Sequence, residues 1–128
     1  MRVESLDHLV LTVADVETSV EFYCRILGMR RVDFGANRVA LQFGCQKINL
    51  HPVAAPLSPH AANPLPGSAD LCFVTKLALS EWIAHLAACN VVLEDGPVAR
   101  TGAMGAMNSI YFRDPDRNLI EIACYDSA

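Results

Sequence analysis

The chain opens on an alternation of apolar and polar positions. In "DHLVLTV", residues 7 to 13, Leu9, Leu11 and Val13 share one parity while His8, Val10 and Thr12 share the other, which predicts a strand with one face toward a core. The period then lengthens: Val16, Val20, Tyr23 and Leu27 recur at helical spacing, Asp15 stands where an N-cap belongs, and Gly28 stands where a left-handed stop belongs. "RVALQFG" and "QKINLHPV", separated by Gly44 and Cys45, read as the two strands of a hairpin. The first half is therefore β-α-β-β, with a short additional strand available at "MRRVDF".

The second half repeats this grammar. "ADLCFVT" is again a strand, and "LSEWIAHLAACN" is again an amphipathic helix, with Leu79, Trp82, Ile83 and Leu86 on one stripe. A slide of 62 residues lays His8 over Asp70, Val20 over Trp82 and Gly28 over Asn90. "SIYFRD" and "NLIEIACY", joined by an Asp-Pro-Asp-Arg-Asn turn, match the earlier hairpin and lay Glu121 over Asn49. Before them, "GPVARTGAMGAMN" reads as a glycine-rich loop, so the offset is no longer constant there. Five of the seven prolines fall between His51 and Ser68, a stiff, extended composition that suits a connection between two modules. Two such modules, each too small to bury its sheet alone, could build one shared concave sheet with a helix outside each.

Composition narrows the function. With 52% hydrophobic and 19% charged residues the chain reads as globular, and 128 residues leave room for one domain or for two small modules sharing a core. A net charge of −4, with no Lys/Arg block, argues against nucleic acid. The opening residues lack the regions of a signal peptide, and no apolar run is long enough to span a bilayer, so a cytoplasmic protein without a membrane partner is expected. The five cysteines stand singly inside apolar patterns, without CxxC, and read as small buried hydrophobes.

The polar exceptions coincide in the repeat. His8 and Asp70 begin equivalent strands, Glu121 interrupts the apolar last strand, and Asn49 holds the equivalent place in the first module, with His51 two residues on and on the same face. Taken singly each has a bland reading: a strand-end histidine, a turn-capping aspartate, a histidine beside Pro52. Matched positions favour a common purpose, because a carboxylate such as Glu121 is costly to bury without a partner. Two imidazoles and two carboxylates would form an N2O2 site for a divalent ion such as Zn, Ni, Co, Mn or Fe. Arg100, near Gly102 and Gly105, could hold a substrate carboxylate or phosphate while the glycine-rich stretch moves as a lid, or be a solvated loop residue. The parity of Arg38 with Ala40 and Gln42 leaves it open between a cleft and solvent. Arg113, Asp114, Asp116 and Arg117 read as turn chemistry with surface ion pairs, His60 and His85 as exposed, and Trp82 as core.

From "LDHLVLTVADVETSVEFYCRILGMR" to "SIYFRDPDRNLIEIACY" the chain resembles the vicinal oxygen chelate superfamily of glyoxalases, bleomycin-resistance proteins and extradiol dioxygenases. Its likeness is greatest to glyoxalase domain-containing and lactoylglutathione-lyase-like proteins, through "ALQFGCQKINLH", "PLPGSADLCFVT" and "GPVARTGAMGAMNSIYFRDPDRNLIE". The resemblance implies one α+β domain over residues 1–128, in which βαβββ modules near 4–53 and 68–126, joined by linker 54–67, form a U-shaped mixed sheet around a central cleft holding one divalent metal. It carries the family's ligand positions to His8 and Glu121. It also carries them to Asp70 and to the neighbourhood of Asn49, where the family more often has histidine and glutamate or glutamine; His51 could restore a nitrogen ligand. The implied activity is a metal-dependent lyase or isomerase acting on an oxygen-chelating small molecule such as a glutathione adduct. Glu121 is the first choice of base, Asp70 the second, and Asn49 and Arg100 are candidates for substrate contact. Fosfomycin-resistance-like addition to an epoxide, ring-cleaving dioxygenation and metal-free small-molecule binding are the alternatives. A homodimer is the implied assembly.

Overall fold

A computed structural model describes residues 1–125. The expected end of the second module, at residue 126, lies outside the described residues. The chain divides into two compact units, Met1–Gly67 and Ser68–Ala128, each with one helix and a four-stranded mixed sheet. The α+β class and the βαβββ grammar of both halves are as the sequence predicts.

In the first unit the elements are β1 (His8–Val13), α1 (Val16–Leu27), β2 (Arg30–Phe34), β3 (Arg38–Phe43) and β4 (Gln46–Pro52). The sheet order is β1-β4-β3-β2, with β1 parallel to β4 and the other pairs antiparallel. The segment "MRRVDF" does supply a strand. Asp15 caps α1, its Oδ2 accepting the Thr18 N–H at 3.1 Å, and Gly28, at φ +67°, ends it in the left-handed region where only glycine carries no steric penalty. Val20, Tyr23 and Ile26 of the helix are buried, as are Leu11, Val13, Leu41, Ile48 and Leu50 of one sheet face. Each such side chain contributes roughly 1.5–3 kcal/mol of transfer free energy.

The second unit repeats the plan with β5 (Asp70–Val74), α2 (Leu79–Ala88), β6 (Asp95–Gly102), β7 (Gly105–Arg113) and β8 (Leu119–Cys124), in the order β5-β8-β7-β6. The parallel registers show the repeat directly: Val10 pairs with Asn49 as Cys72 pairs with Glu121. Asn90, at the position of Gly28, also has a positive φ. Helix α2 is held more loosely than α1. Its N-cap is Ala78, which has no capping side chain, only Leu86 is fully buried, and Trp82 is half-buried with its Nε1–H donated to Thr75 Oγ1 at 2.9 Å.

Three expectations are corrected. "GPVARTGAMGAMN" is no loop: it forms β6, a tight turn and the start of β7. Pro97 is tolerated because β6 is an edge strand with a register shift between Asp95 and Val98. Gly96, at φ +102°, lets the strands close, since a Cβ there would stand 2.4 Å from the Ser109 carbonyl oxygen. The Tyr125 hydroxyl accepts the Met104 N–H at 3.1 Å and pins the turn, which removes the basis for a lid. The cysteines are not uniformly buried either: Cys45 and Cys72 are exposed, and only Cys124 is fully buried. Finally, Asp114 belongs to the interior. Its Oδ1 accepts the Asp116 and Asn118 amides, both at 2.9 Å, and its Oδ2 accepts Asn118 Nδ2–H at 2.8 Å. Asn118 Oδ1 in turn accepts the Ala69 N–H at 2.9 Å, so this turn ties the start of β8 to the residue before Asp70.

Candidate functional site

The register of the second sheet determines what surrounds Glu121. On the face opposite α2, Glu121 is flanked by Cys72 on β5 and Tyr111 on β7, both directly across from it, and Asp70 lies one diagonal step away opposite Leu119. The thiol of Cys72 and the phenol of Tyr111 both come within side-chain hydrogen-bonding reach of the carboxylate. Burial, and then the charge of Glu121, push the Cys72 thiol up to about 11. Burial is also the first cause that raises Tyr111, with Glu121 adding to it and the Arg100 hydrogen bond opposing it. Glu121 Oε2 is buried and has no hydrogen-bond partner.

An open cleft of about 340 Å³ lies over this face, lined by Asp70, Glu94, Asp95, Arg100, Tyr111, Leu119 and Glu121. Arg100 reaches it from β6: its Nε donates to the Tyr111 hydroxyl at 2.9 Å, and its Nη2 stands 3.8 Å from Asp95. Arg113 holds Glu94 through two 2.9 Å hydrogen bonds, which lower the Glu94 carboxyl below its ordinary range. Glu94 and Asp95 are thus matched to arginines, Asp70 lies near enough to Arg113 to feel its charge, and Glu121 forms no ion pair among the described residues.

The remaining predicted residues belong to the first unit, on the sheet face opposite α1. His8 is exposed and hydrogen-bonded through Nδ1 to Asp7 at 2.8 Å. Asn49 and His51 share the register of Val10 and Thr12, and both are buried, at 4% and 3% exposure, as candidates with work to do would be. Asn49 Oδ1 and both His51 ring nitrogens lack partners. Burial, then the charges of Arg38 and His60, push His51 below its ordinary value, so the neutral imidazole, the form that ligates metals, is favoured.

Taken separately, each unit offers donors of a type that a divalent ion accepts: carboxylate oxygens in the second, one of them buried and unpartnered among the described residues, and a neutral imidazole in the first. Among the described residues, however, no group of three or more His, Cys, Asp and Glu side chains could hold an ion. Sequence reasoning missed Tyr111 and Cys72. Both stand in segments the sequence marks as strands, but the cross-strand register that sets them beside Glu121 is fixed by pairing and not by spacing.

The chain is similar over its whole length to proteins of one kind. An integron cassette protein from the mobile metagenome of V. cholerae superposes with a TM-score of 0.96 at 54% identity, covering 98% of both chains. A virulence protein of Salmonella typhimurium is 49% identical over 125 residues, 98% of this chain and 87% of that one. A glyoxalase domain-containing protein of Mycosarcoma maydis is 49% identical over 128 residues, all of this chain and 72% of that one. The fold alone is shared, at 22% identity and a TM-score of 0.74, with a lactoylglutathione lyase from Agrobacterium tumefaciens, and at 16% and 0.65 with a fosfomycin resistance protein from Mesorhizobium loti. No helix among the described residues is long and apolar enough to cross a membrane. The model of the glyoxalase/bleomycin resistance protein/dioxygenase superfamily matches residues 5–122, and the chain belongs to that superfamily.

Proposed function

We propose that the chain is a divalent-metal-dependent lyase or isomerase of the glyoxalase type, acting on a small molecule with two adjacent oxygens, with a glutathione thiohemiacetal as the first substrate class. The observation that carries this reading is Glu121: a carboxylate at the cleft whose buried Oε2 meets no hydrogen-bond donor among the described residues, with the carboxylate of Asp70 one diagonal step away. Asp70 and Glu121 would hold the ion, with His8 as the nitrogen donor that the family resemblance assigns and His51, on the face of Asn49, as the second candidate. When bound, the ion would act as a Lewis acid on the substrate oxygens. Glu121 is the base: a carboxylate oxygen at the cleft can take a proton from one carbon and return it to the next. Tyr111 and Cys72 flank Glu121 directly across the sheet, and Asp70 is the alternative base. Arg100 anchors an anionic end of the substrate, because its Nη2 is held only by the long contact to Asp95.

The test is a screen of the metal-loaded protein with the methylglyoxal–glutathione adduct, then fosfomycin with a thiol, then acyl-CoA epimers. Turnover of one of these that falls at least 100-fold in Glu121→Gln supports the reading. Turnover unaffected by Glu121→Gln removes Glu121 from the mechanism. A second reading, a metal-free module that sequesters a small molecule, is favoured by one observation: the candidate donors do not gather into a group of three. A homodimer is the assembly proposed, and sedimentation at micromolar concentration checks it.

A further inference from the structure

The face of the first sheet opposite α1 carries a charge pattern that the carboxylate cleft does not use. Its cross-strand rows place Arg30 beside Gln42, Gln42 beside Lys47, Lys47 beside His8, and Phe34 beside Arg38. No carboxylate stands in those rows. Five other cations are matched: Arg2, Arg25, Arg31, Arg100 and Arg113 each pair with Asp or Glu. Arg30, Arg38 and Lys47 have no such partner among the described residues, although the chain contains 14 acidic residues. Arg30 donates to Gln42 Oε1 at 3.1 Å. Arg38 and Lys47 are both half-buried and each lies over the ring of Phe34, at 4.7 and 3.9 Å from its centroid, so one ring anchors two positive charges. Two like charges anchored on one ring without a counterion repel each other, and a nearby anion would offset that cost.

A second, independent observation points the same way. Asn49 and His51, both more than nine-tenths buried, stand on this same face with unpartnered polar atoms. Buried polar atoms without partners carry a desolvation cost that a polar ligand would offset. Asn49 Oδ1 requires a donor. We infer that the β2–β3–β4 face of the first unit is an oxyanion subsite: Arg38 and Lys47 on Phe34 bind the carboxylate or phosphate of a small molecule, and Asn49 accepts a hydrogen bond from a hydroxyl or amine on the same molecule. The inference rests on the first unit alone and stands whether or not Glu121 meets a metal ion.

The experiment is an amide-resolved NMR titration of the full chain with inorganic phosphate, succinate, L-malate and, at matched ionic strength, sodium chloride. Saturable shifts confined to β2–β4 are expected with the oxyanions and not with chloride. L-Malate, which adds one hydroxyl to succinate, should bind more tightly than succinate. Phosphate above malate assigns the site to phosphoryl groups, and malate above phosphate assigns it to carboxylates; both support an oxyanion subsite. Arg38→Gln and Lys47→Gln should each weaken binding about 10-fold. Lys76→Gln, which removes an unpaired cation from the second unit, should leave it unchanged. Shifts that follow ionic strength with chloride as with oxyanions, equal binding of succinate and malate, or saturable binding that survives in the Arg38→Gln/Lys47→Gln double variant, with native circular dichroism, would overturn the inference.

Discussion

At the residue scale, Glu121 acts on Cys72, and that effect is measurable. The thiol is exposed enough to be reached, yet burial and the neighbouring carboxylate push it up to about 11, so little thiolate exists near pH 8. Peptide-resolved alkylation should find Cys72 slow, and Glu121→Gln, which removes the opposing charge while preserving shape, should accelerate it several-fold; an unchanged rate would place the cause elsewhere. His51 gives a second residue-level outcome in the metal-free protein. Its folded value lies below the ordinary one, so below about pH 6.5 the unfolded chain binds a proton that the folded chain refuses. The stability it contributes is complete above that pH and falls as the pH drops toward the folded value, and His51→Gln should flatten this part of the urea midpoint against pH. At this scale the sequence showed where His8, Asp70, Asn49, His51 and Glu121 stand along their strands, because parity and repeat offset are properties of the string. It could not show Tyr111 and Cys72 beside Glu121, since cross-strand register is set by pairing and not by spacing.

The elements differ in how openly their sequences announce them. Strand β1 and helix α1 were legible because alternation, an Asp cap and a Gly stop agree with one another. Strand β6 was not: Gly96, Pro97 and Gly102 imitate a loop, and the segment is a strand only because an edge position excuses the proline and the glycines admit close neighbours. Gly96→Ala should therefore be costly, by roughly 2–3 kcal/mol, because it combines an unfavourable φ with a backbone clash at Ser109. The Asp-Pro-Asp-Arg-Asn turn is a turn as its sequence predicts, and Arg113 forms the expected ion pair, but Asp114 is buried where surface is expected. Asn118→Ala leaves the Ala69 N–H and Asp114 Oδ2 short of partners in a buried place and should cost roughly 2–4 kcal/mol in urea unfolding. A cost below about 0.5 kcal/mol would show that the link between β8 and β5 is not what holds Asp70 in register.

For the molecule as a whole, duplication was the most informative feature of the sequence, since it exposed both βαβββ units and the α+β class before any contact was known. Charge was less legible, because a net charge of −4 conceals its distribution. The second unit gathers four carboxylates at its cleft, of which Glu121 forms no ion pair among the described residues, and the first gathers cations without carboxylate partners among the described residues on one sheet face. Only side-chain pairing separates matched from unmatched charge. The most direct test of the metal-dependent reading is elemental analysis of untagged protein purified without chelators, then reloaded in turn with Mn, Fe, Co, Ni and Zn, beside Glu121→Gln, Asp70→Asn and His8→Ala. The account predicts about one divalent ion per chain in the parent protein and a clear loss in each variant. No retained ion under any loading condition, or an ion retained equally by all three variants, would contradict it.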